Sequence, residues 1–460
     1  MKNLFFKLPN FIQNTILSIY NSYLYSIRYG GVYKQIKKEL LSTYTLSFES
    51  LKNIQNKRFI SFINFAKENS IFYKKLYKNI NLEDIKSTNE INLLPIVTKE
   101  QLRASIKDVY TISKKKGIVS KTGGTTGKSL EVLFTKKDVQ IDYAQLDTFR
   151  SLYGYKLGKK TAWFSGKTLL NETDIKKNRF WKYDFINKVR YYSTFHIQEA
   201  YLKYYLNDLI KYKPLYMVGF PSTMVEIAKF GIKNNIPFPK NVINTIFPTA
   251  ESLTKDIRGV LSNYFNARIA DQYASSEGAP LIFECIKGNL HMDIRSGVFE
   301  VLDENNKPTN EGRLVVTSFT THGTPLIRYD IGDSLKLSKL THCDCGSNLP
   351  MVESIHGRIN DFVFSPETGK INLGNVSNTL KDVYGIKKFQ VIQNTKNKLD
   401  IKIIIDDTIF TKKDEEKFIK NWQERVGSKM KLNLNYVTHI DSEKSGKFRL
   451  IKNNLKQNNG

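Results

Sequence analysis

Ten residues constrain this chain more than any others: Ser120-Lys121-Thr122-Gly123-Gly124-Thr125-Thr126-Gly127-Lys128-Ser129. Glycines let the backbone fold back tightly and approach an anion. Hydroxyls and free N–H groups donate to phosphate oxygens, and Lys128 adds positive charge. A plain connection does not need three glycines and three threonines so close together. The spacing also disfavours a P-loop NTPase, whose Walker A pattern demands a glycine where Thr122 stands. The alternating stretch Leu130-Glu131-Val132-Leu133-Phe134 follows and reads as a strand.

A chain of 460 residues is too long for one ordinary core and fits two or three domains. Its apolar share of 40% excludes global disorder, and its three cysteines exclude a disulfide scaffold and fit a reducing cytosol. Lys and Arg outnumber Asp and Glu by 71 to 44, a formal net charge of +27. The lysines fall in short clusters, such as Lys37-Lys38, Lys114 to Lys116, Lys387-Lys388 and Lys412-Lys413. None makes the run of like charges that marks a nucleic-acid-binding arm. A solvated basic surface is the expected reading, and a surface for anionic partners is the alternative. No window approaches the ~18 consecutive apolar residues of a spanning helix. Lys7, Pro9, Gln13 and Asn14 interrupt the apolar start, and no small-residue cleavage site follows, so a cytoplasmic protein is expected. Phe5, Phe6, Phe11, Ile12, Ile16, Ile19, Tyr20 and Tyr23 recur at partly helical spacing. They predict a helix packed on the body of the protein, with peripheral membrane contact as the alternative.

Residues 34–110 read as helices, with Phe59, Ile60, Phe62, Ile63, Phe65 and Ala66 on one apolar face. From 138 to 345 helical and strand patterns alternate, including helices at Ile197 to Lys211 and Thr223 to Asn234. Strands are expected at Tyr216-Met217-Val218 and Leu314 to Thr317, which together predict an α/β body. After Gly357 the texture changes. Phe389 to Ile392, Leu399 to Ile405 and Leu432 to Val437 read as strands around a helix from Asp414 to Val426, a small α+β domain.

Thr122-Gly123-Gly124-Thr125-Thr126-Gly127-Lys128 resembles the phosphate-binding loop of the adenylate-forming superfamily, which includes acyl-CoA synthetases, peptide-synthetase adenylation domains and luciferases. Further motifs follow in the superfamily's order. Pro248-Thr249-Ala250-Glu251 looks like one wall of the adenine pocket. Tyr273-Ala274-Ser275-Ser276-Glu277 is similar to Tyr-Gly-x-Thr-Glu, with Ala274 in place of glycine. The resemblance puts the Tyr273 ring on adenine, the Ser276 hydroxyl on the α-phosphate and the Glu277 carboxylate on Mg²⁺. Arg328-Tyr329-Asp330-Ile331-Gly332-Asp333 resembles Arg-Tyr-x-x-Gly-Asp, and implies that Asp333 accepts hydrogen bonds from both ribose hydroxyls. Gly357-Arg358-Ile359-Asn360-Asp361 is similar to the hinge motif, with Asn360 at the pivot and Arg358 near ribose or phosphates. Ser445-Gly446-Lys447-Phe448-Arg449 resembles the C-terminal Gly-Lys motif, whose lysine stabilises charge in the adenylation transition state. The implied architecture is a large adenylate-forming domain over 1–357, of mixed sheets and flanking helices with a mostly helical start at 1–110. A small mobile α+β lid follows over 358–460.

Within the superfamily the chain looks most like the phenylacetate–CoA ligase-like branch, including its members in capsular polysaccharide biosynthesis. The match lies around Cys285, His291 and Cys343-Asp344-Cys345-Gly346. A hairpin turning at Lys287-Gly288-Asn289 is expected to set Cys285 opposite His291. With Cys343 and Cys345 these make a closed tetrahedral site for structural Zn²⁺, and His342 is the alternative nitrogen ligand.

The implied function is ATP-dependent, AMP-forming activation of a carboxylic acid, with catalysis by Lys447, Glu277-bound Mg²⁺ and the Thr126 loop. Rotation about Asn360 would then withdraw Lys447 and admit an acceptor, either CoA or an amine. Gly219-Phe220-Pro221-Ser222-Thr223 and residues near Ala274 are the expected acyl pocket. The rivals are a non-catalytic homologue, against which intact Lys447, Asp333 and Glu277 count, and a basic zinc-containing binding protein.

Overall fold

The structure is a computed structural model, which describes every residue except 1, 122–129, 166–168, 198, 252, 359–361, 368, 373–377, 381–382, 442–447 and 456–460. At Lys121, Ser165, Gly357, Arg358 and a few other positions within helices and strands it describes the backbone alone. The chain divides into two compact units. The first holds Met1–Ile331 and Leu335–Ile355, and the second holds Gly332–Ser334 and His356–Gly460.

The first unit is α/β. Its six-stranded sheet runs in the order Trp181–Asp184, Val189–Ser193, Thr161–Ser165, Tyr216–Gly219, Thr245–Pro248 and Arg268–Ile269. The edge strand Trp181–Asp184 is antiparallel to its neighbour and the rest run parallel. Parallel strands are buried on both faces, which is why Tyr216–Gly219 and Thr245–Pro248 are buried throughout. Helices Glu199–Tyr212, Pro221–Lys233 and Lys255–Phe265 supply the cover, through Leu206, Leu209, Met224, Ile227, Leu261 and Phe265.

A seven-stranded sheet stands beside it, ordered Gly297–Leu302, Glu311–Ser318, Leu326–Leu337, Met351–Arg358, Leu290–Met292, Ile282–Glu284 and Gln272–Tyr273. The helix Phe48–Asn69 packs on it with the apolar face expected from its sequence: Phe59, Phe62, Ile63 and Ala66 are buried. Ser47 caps that helix by accepting from the Ser50 N–H. Phe149, Phe247 and Phe283 join the two sheets in a shared aromatic cluster.

The second unit is a four-stranded sheet in the order Lys431–Tyr436, Lys398–Ile405, Ile386–Thr395 and Ile451–Asn453. The helix Lys412–Val426 lies on it, with Phe418, Trp422 and Val426 fully buried, each worth roughly 1.5–3 kcal/mol. Thr411 and Asp414 form a capping box at its start, so the acidic first turn serves the backbone as well as the dipole.

Candidate active site and metal centre

The parallel sheet sets the stage. The chain leaves Thr161–Ser165 toward one side of the sheet and leaves its neighbour Tyr216–Gly219 toward the other. The crevice at their carboxyl ends is therefore a topological switch point, where open α/β sheets take ligands. Gly219 sits there with φ +137°, and a Cβ would lie 1.9 Å from the Phe164 carbonyl oxygen, so no other residue fits. The helix Pro221–Lys233 starts immediately after it, with proline in its first turn. Just past the next strand, the Thr249 N–H donates to the Gly219 carbonyl at 3.0 Å. Ala250 then takes φ +68° and is exposed. A left-handed alanine costs roughly 1–2 kcal/mol and persists only where its surroundings impose it. Glu251 turns toward the helix start, accepting from the Ser222 N–H at 3.0 Å and the Ser222 hydroxyl at 2.9 Å. Its carboxylate thus joins the 219–223 and 248–251 segments.

The Gln272–Tyr273 strand edges the other sheet, with Tyr273 half-buried opposite Ile282. The chain then breaks outward. Ala274 and Ser276 are exposed, whereas Glu277 is only 5% exposed. Lys99 Nζ stands 3.3 Å from Glu277 Oε1, on a helix whose start is locked by the Thr98–Gln101 capping box. Gly278 follows with φ +92°, where a Cβ would meet Phe134 and Thr321 at 2.8 Å. Gly278, just past the ledge of Tyr273 to Ser276, is in this way packed closely against Phe134, on the strand Glu131–Phe134 that follows the threonine loop in sequence.

The Arg328 guanidinium is committed to the fold. It makes a two-pronged pair with Glu300 at 2.7 and 3.0 Å and donates to the Leu94 carbonyl. Asp333 is half-buried on Leu326–Leu337, within the stretch that groups with the second unit. Arg358 ends the strand Met351–Arg358. Thr122 to Lys128, Asn360, Asp361 and Lys447 lie outside the described residues.

Cys285, His291, Cys343 and Cys345 bring one ligand atom each to within 4.8 Å of one another. Cys285 Sγ is 3.6 Å from Cys343 Sγ, and Cys345 Sγ is 3.6 Å from His291 Nε2. The sulfur–sulfur separation is too long for a disulfide, whose S–S bond is ~2.05 Å. Both distances suit the ~3.8 Å edge of a tetrahedron with ~2.3 Å metal–sulfur bonds. The His291 Nδ1 faces the Leu349 carbonyl at 3.0 Å. A carbonyl only accepts, so Nδ1 carries the proton and the Nε2 lone pair turns to the cluster. The Asn289 amide donates to Cys343 Sγ at 3.2 Å and the Ser347 N–H to Cys345 Sγ at 3.4 Å. Burial pushes the Cys285 thiol up to about 12. The donor set, three sulfurs and one neutral imidazole, fits a structural zinc ion.

One expectation is corrected here. The hairpin pairs Phe283 with His291, and Cys285 with Asn289 through a Cys285 N–H to Asn289 carbonyl bond of 2.8 Å. Gly288, φ +83°, closes the turn by donating to the Cys285 carbonyl, so it ends the turn instead of centring it. Cys285 and His291 meet diagonally on one face. His342 is exposed and lies against Asp344 at 3.5 Å, outside the cluster.

The chain is 33% identical to Protein CapK of Staphylococcus aureus over 450 residues, 97% of this chain and 98% of that one. It belongs to the CapK family. The family model of the CapK C-terminal domain matches residues 363–454, within the second unit. The structure is also similar to 2-hydroxyisobutyryl-CoA ligase in the postadenylation state with R3-HIB-AMP, with a TM-score of 0.71 at 15% identity. That match covers 89% of this chain and 91% of the other. The same ligase with 2-HIB-AMP and CoA in the thioesterification state matches at a TM-score of 0.56 and 16% identity, again over 89% and 91%. These likenesses show that the chain has the fold of that CoA ligase, and the family model shows a CapK C-terminal domain at its end. Among the described residues no helix is long and apolar enough to cross a membrane.

Lys99 is the site residue that sequence reasoning misses. It lies 178 positions from Glu277, and only its place after the capping residue Thr98, at the start of a helix, marks it as fixed in space.

Proposed function

We propose that this CapK-family protein is an ATP-dependent, AMP-forming acid ligase that works in the cytoplasm. It activates a carboxylic acid as an acyl-adenylate and passes the acyl group to CoA or to an amine, in surface polysaccharide biosynthesis. The observation that carries the reading is the buried Glu277 directly after the exposed Ala274 and Ser276, in a chain with the adenylate-forming fold.

A carboxylate is already ionised near pH 7, so the nucleophile needs no general base. Its oxygen forms a bond to the α-phosphorus, the bond from that phosphorus toward the β-phosphate breaks, and pyrophosphate leaves with the electron pair. Catalysis is then mostly positioning and charge stabilisation. Tyr273 and Ala250 flank adenine, and Asp333 takes the ribose hydroxyls. Ser276, Arg358 and the loop from Thr122 to Lys128, with Thr126 at its centre, serve the phosphates, and Lys447 bridges nucleophile and α-phosphate. Glu277, steadied by Lys99, would hold Mg²⁺, which neutralises triphosphate charge when bound. Cys285, His291, Cys343 and Cys345 would hold structural Zn²⁺, which ties the hairpin to the 343–346 turn. Four protein donors leave no open position, so this ion stays outside the chemistry.

ATP–pyrophosphate exchange across a panel of carboxylic acids tests the reading. At least one acid is expected to support exchange, and Lys447→Ala to cut it by ~100-fold or more, the scale of one lost transition-state contact. Exchange with no acid in the panel counts against the ligase, and unchanged exchange in Lys447→Ala removes that residue from the chemistry.

A further inference from the structure

The helix Asn10–Tyr29 is turned inside out. Its polar residues face the protein, where they serve the exposed edge of the six-stranded sheet. The Asn14 side-chain oxygen accepts from the Tyr183 N–H at 3.1 Å, and the Ser18 hydroxyl from the Phe185 N–H at 3.1 Å. Asn21 donates to the Asp184 carboxylate at 2.9 Å. These positions stand in for a neighbouring strand and satisfy an edge that would otherwise recruit one. With the polar stripe fixed inward, the apolar one points to solvent. Phe11 is 69% exposed, Ile19 61% and Tyr23 63%, with Ile16 and Tyr20 between them. Phe185 and Ile186, exposed in the turn after the edge strand, follow directly on the residues that the helix holds. An apolar stripe about 18 Å long, from Phe11 to Tyr23, is more than scattered surface hydrophobicity.

Charge says what covers it. Residues 1–38 contain six Lys or Arg and no Asp or Glu. Lys7 at the start of the stripe and Lys188 beside Ile186 are exposed. Tyrosines at the apolar–polar boundary, basic residues without carboxylates, and a helix too short in apolar residues to cross a bilayer are the chemistry of an interfacial anchor. We propose that this helix docks the protein on an anionic lipid bilayer, its outward face seated among the headgroups. The proposal is independent of the reaction assigned above.

Co-sedimentation of the full chain with phosphatidylcholine vesicles, with and without phosphatidylglycerol, tests it. Partition into the anionic vesicles is expected to exceed that into the neutral ones by about tenfold or more and to fall with added salt. The triple variant Ile16→Asn, Ile19→Asn, Tyr23→Asn is expected to lose about tenfold or more of that partition while its melting temperature stays that of the parent. As a second readout, Tyr23→Trp is expected to add fluorescence that shifts blue with anionic vesicles, relative to the parent. A chain that stays in the supernatant with both vesicles, or a triple variant that binds like the parent, overturns the proposal. So does a concentration-dependent dimer that the triple variant abolishes without any vesicle binding, which would make the face a self-interface.

Discussion

The cysteine–histidine cluster and the Tyr273–Glu277 ledge lie on neighbouring strands of one sheet and are built in opposite ways. In the cluster, Cys285 and His291 are fully buried, and the sulfurs and Nδ1 have partners that orient them. The ledge leaves Ala274 and Ser276 in solvent, with an ionic group, Glu277, held just behind them by Lys99. The backbone at the carboxyl ends of the parallel strands is strained at Ala250 and tightly constrained at Gly219. A closed donor set suits an ion that never leaves. An open rim with a braced carboxylate suits a ligand that must enter, react and depart. Changes at the cluster should therefore move stability, and changes at the ledge should move rate.

The largest effect is expected at the cluster. Metal analysis of protein purified without chelator should find about one equivalent of zinc, and Cys343→Ser should lose it. Zinc sites in small domains contribute ~10–16 kcal/mol of apparent folding energy. Here a large core supports the hairpin, so a loss of several kcal/mol is expected, read as a lowered denaturation midpoint. Lys447→Ala, measured beside it, should leave that midpoint unchanged. Well under one equivalent of zinc in the parent, or an unshifted Cys343→Ser, would break the contrast on its structural side.

A smaller effect, about 1–3 kcal/mol, is expected from Lys99→Gln, which leaves the buried Glu277 carboxylate without its cation. Lys99→Arg should recover most of the stability. If Lys99→Gln is as stable as the parent, the pair does not brace the ledge and the open side needs another support.

Most of the elements were legible because their signals are local. The strands around Val391, Ile401 and Leu434, and the helices after Ile197 and around Thr223, follow from periodicity and fall within a few residues of where the structure has them. That Cys285, His291, Cys343 and Cys345 gather in one place was legible from cysteine economy and one turn. Register was not. A glycine announces a turn without saying whether it centres or closes it, and the cluster's geometry rests on that two-residue difference. The inward face of the Asn10–Tyr29 helix was likewise hidden, since it is chosen by the edge amides of Tyr183 and Phe185, far away in sequence. The three-residue strand Ile451–Asn453 is too short to show a period, and Lys99 carries no motif. The threonine loop and Lys447, the most informative sequence signals, lie outside the described residues, so their roles stand on the resemblance and on the exchange experiment.

The smallest effect sits where the two regions touch. Asp271 immediately precedes the ledge strand, and its N–H donates to the Glu284 carboxylate at 2.8 Å, one residue before Cys285. Burial, reinforced by the Glu284 charge, raises its pKa to about 6, against the bond from the Gln272 N–H and the pull of Arg258. The unfolded chain titrates this group near ~3.9. Between about pH 4 and 6 the native state therefore holds a proton that the unfolded state has lost, and stability falls as pH rises through that window. Above about pH 6 the penalty is complete and flat, and below about pH 4 it vanishes. Because Asp271 keeps some contact with solvent, the penalty is taken as on the order of 1 kcal/mol. Asp271→Asn keeps the oxygen that accepts from Gln272 and removes the charge. It should be about 1 kcal/mol more stable than the parent at pH 8 and no different at pH 4, by denaturant midpoints at each pH. A pH-independent difference would mean that Asp271 shapes the junction by packing alone, and that no electrostatic cost is stored between the closed cluster and the open ledge.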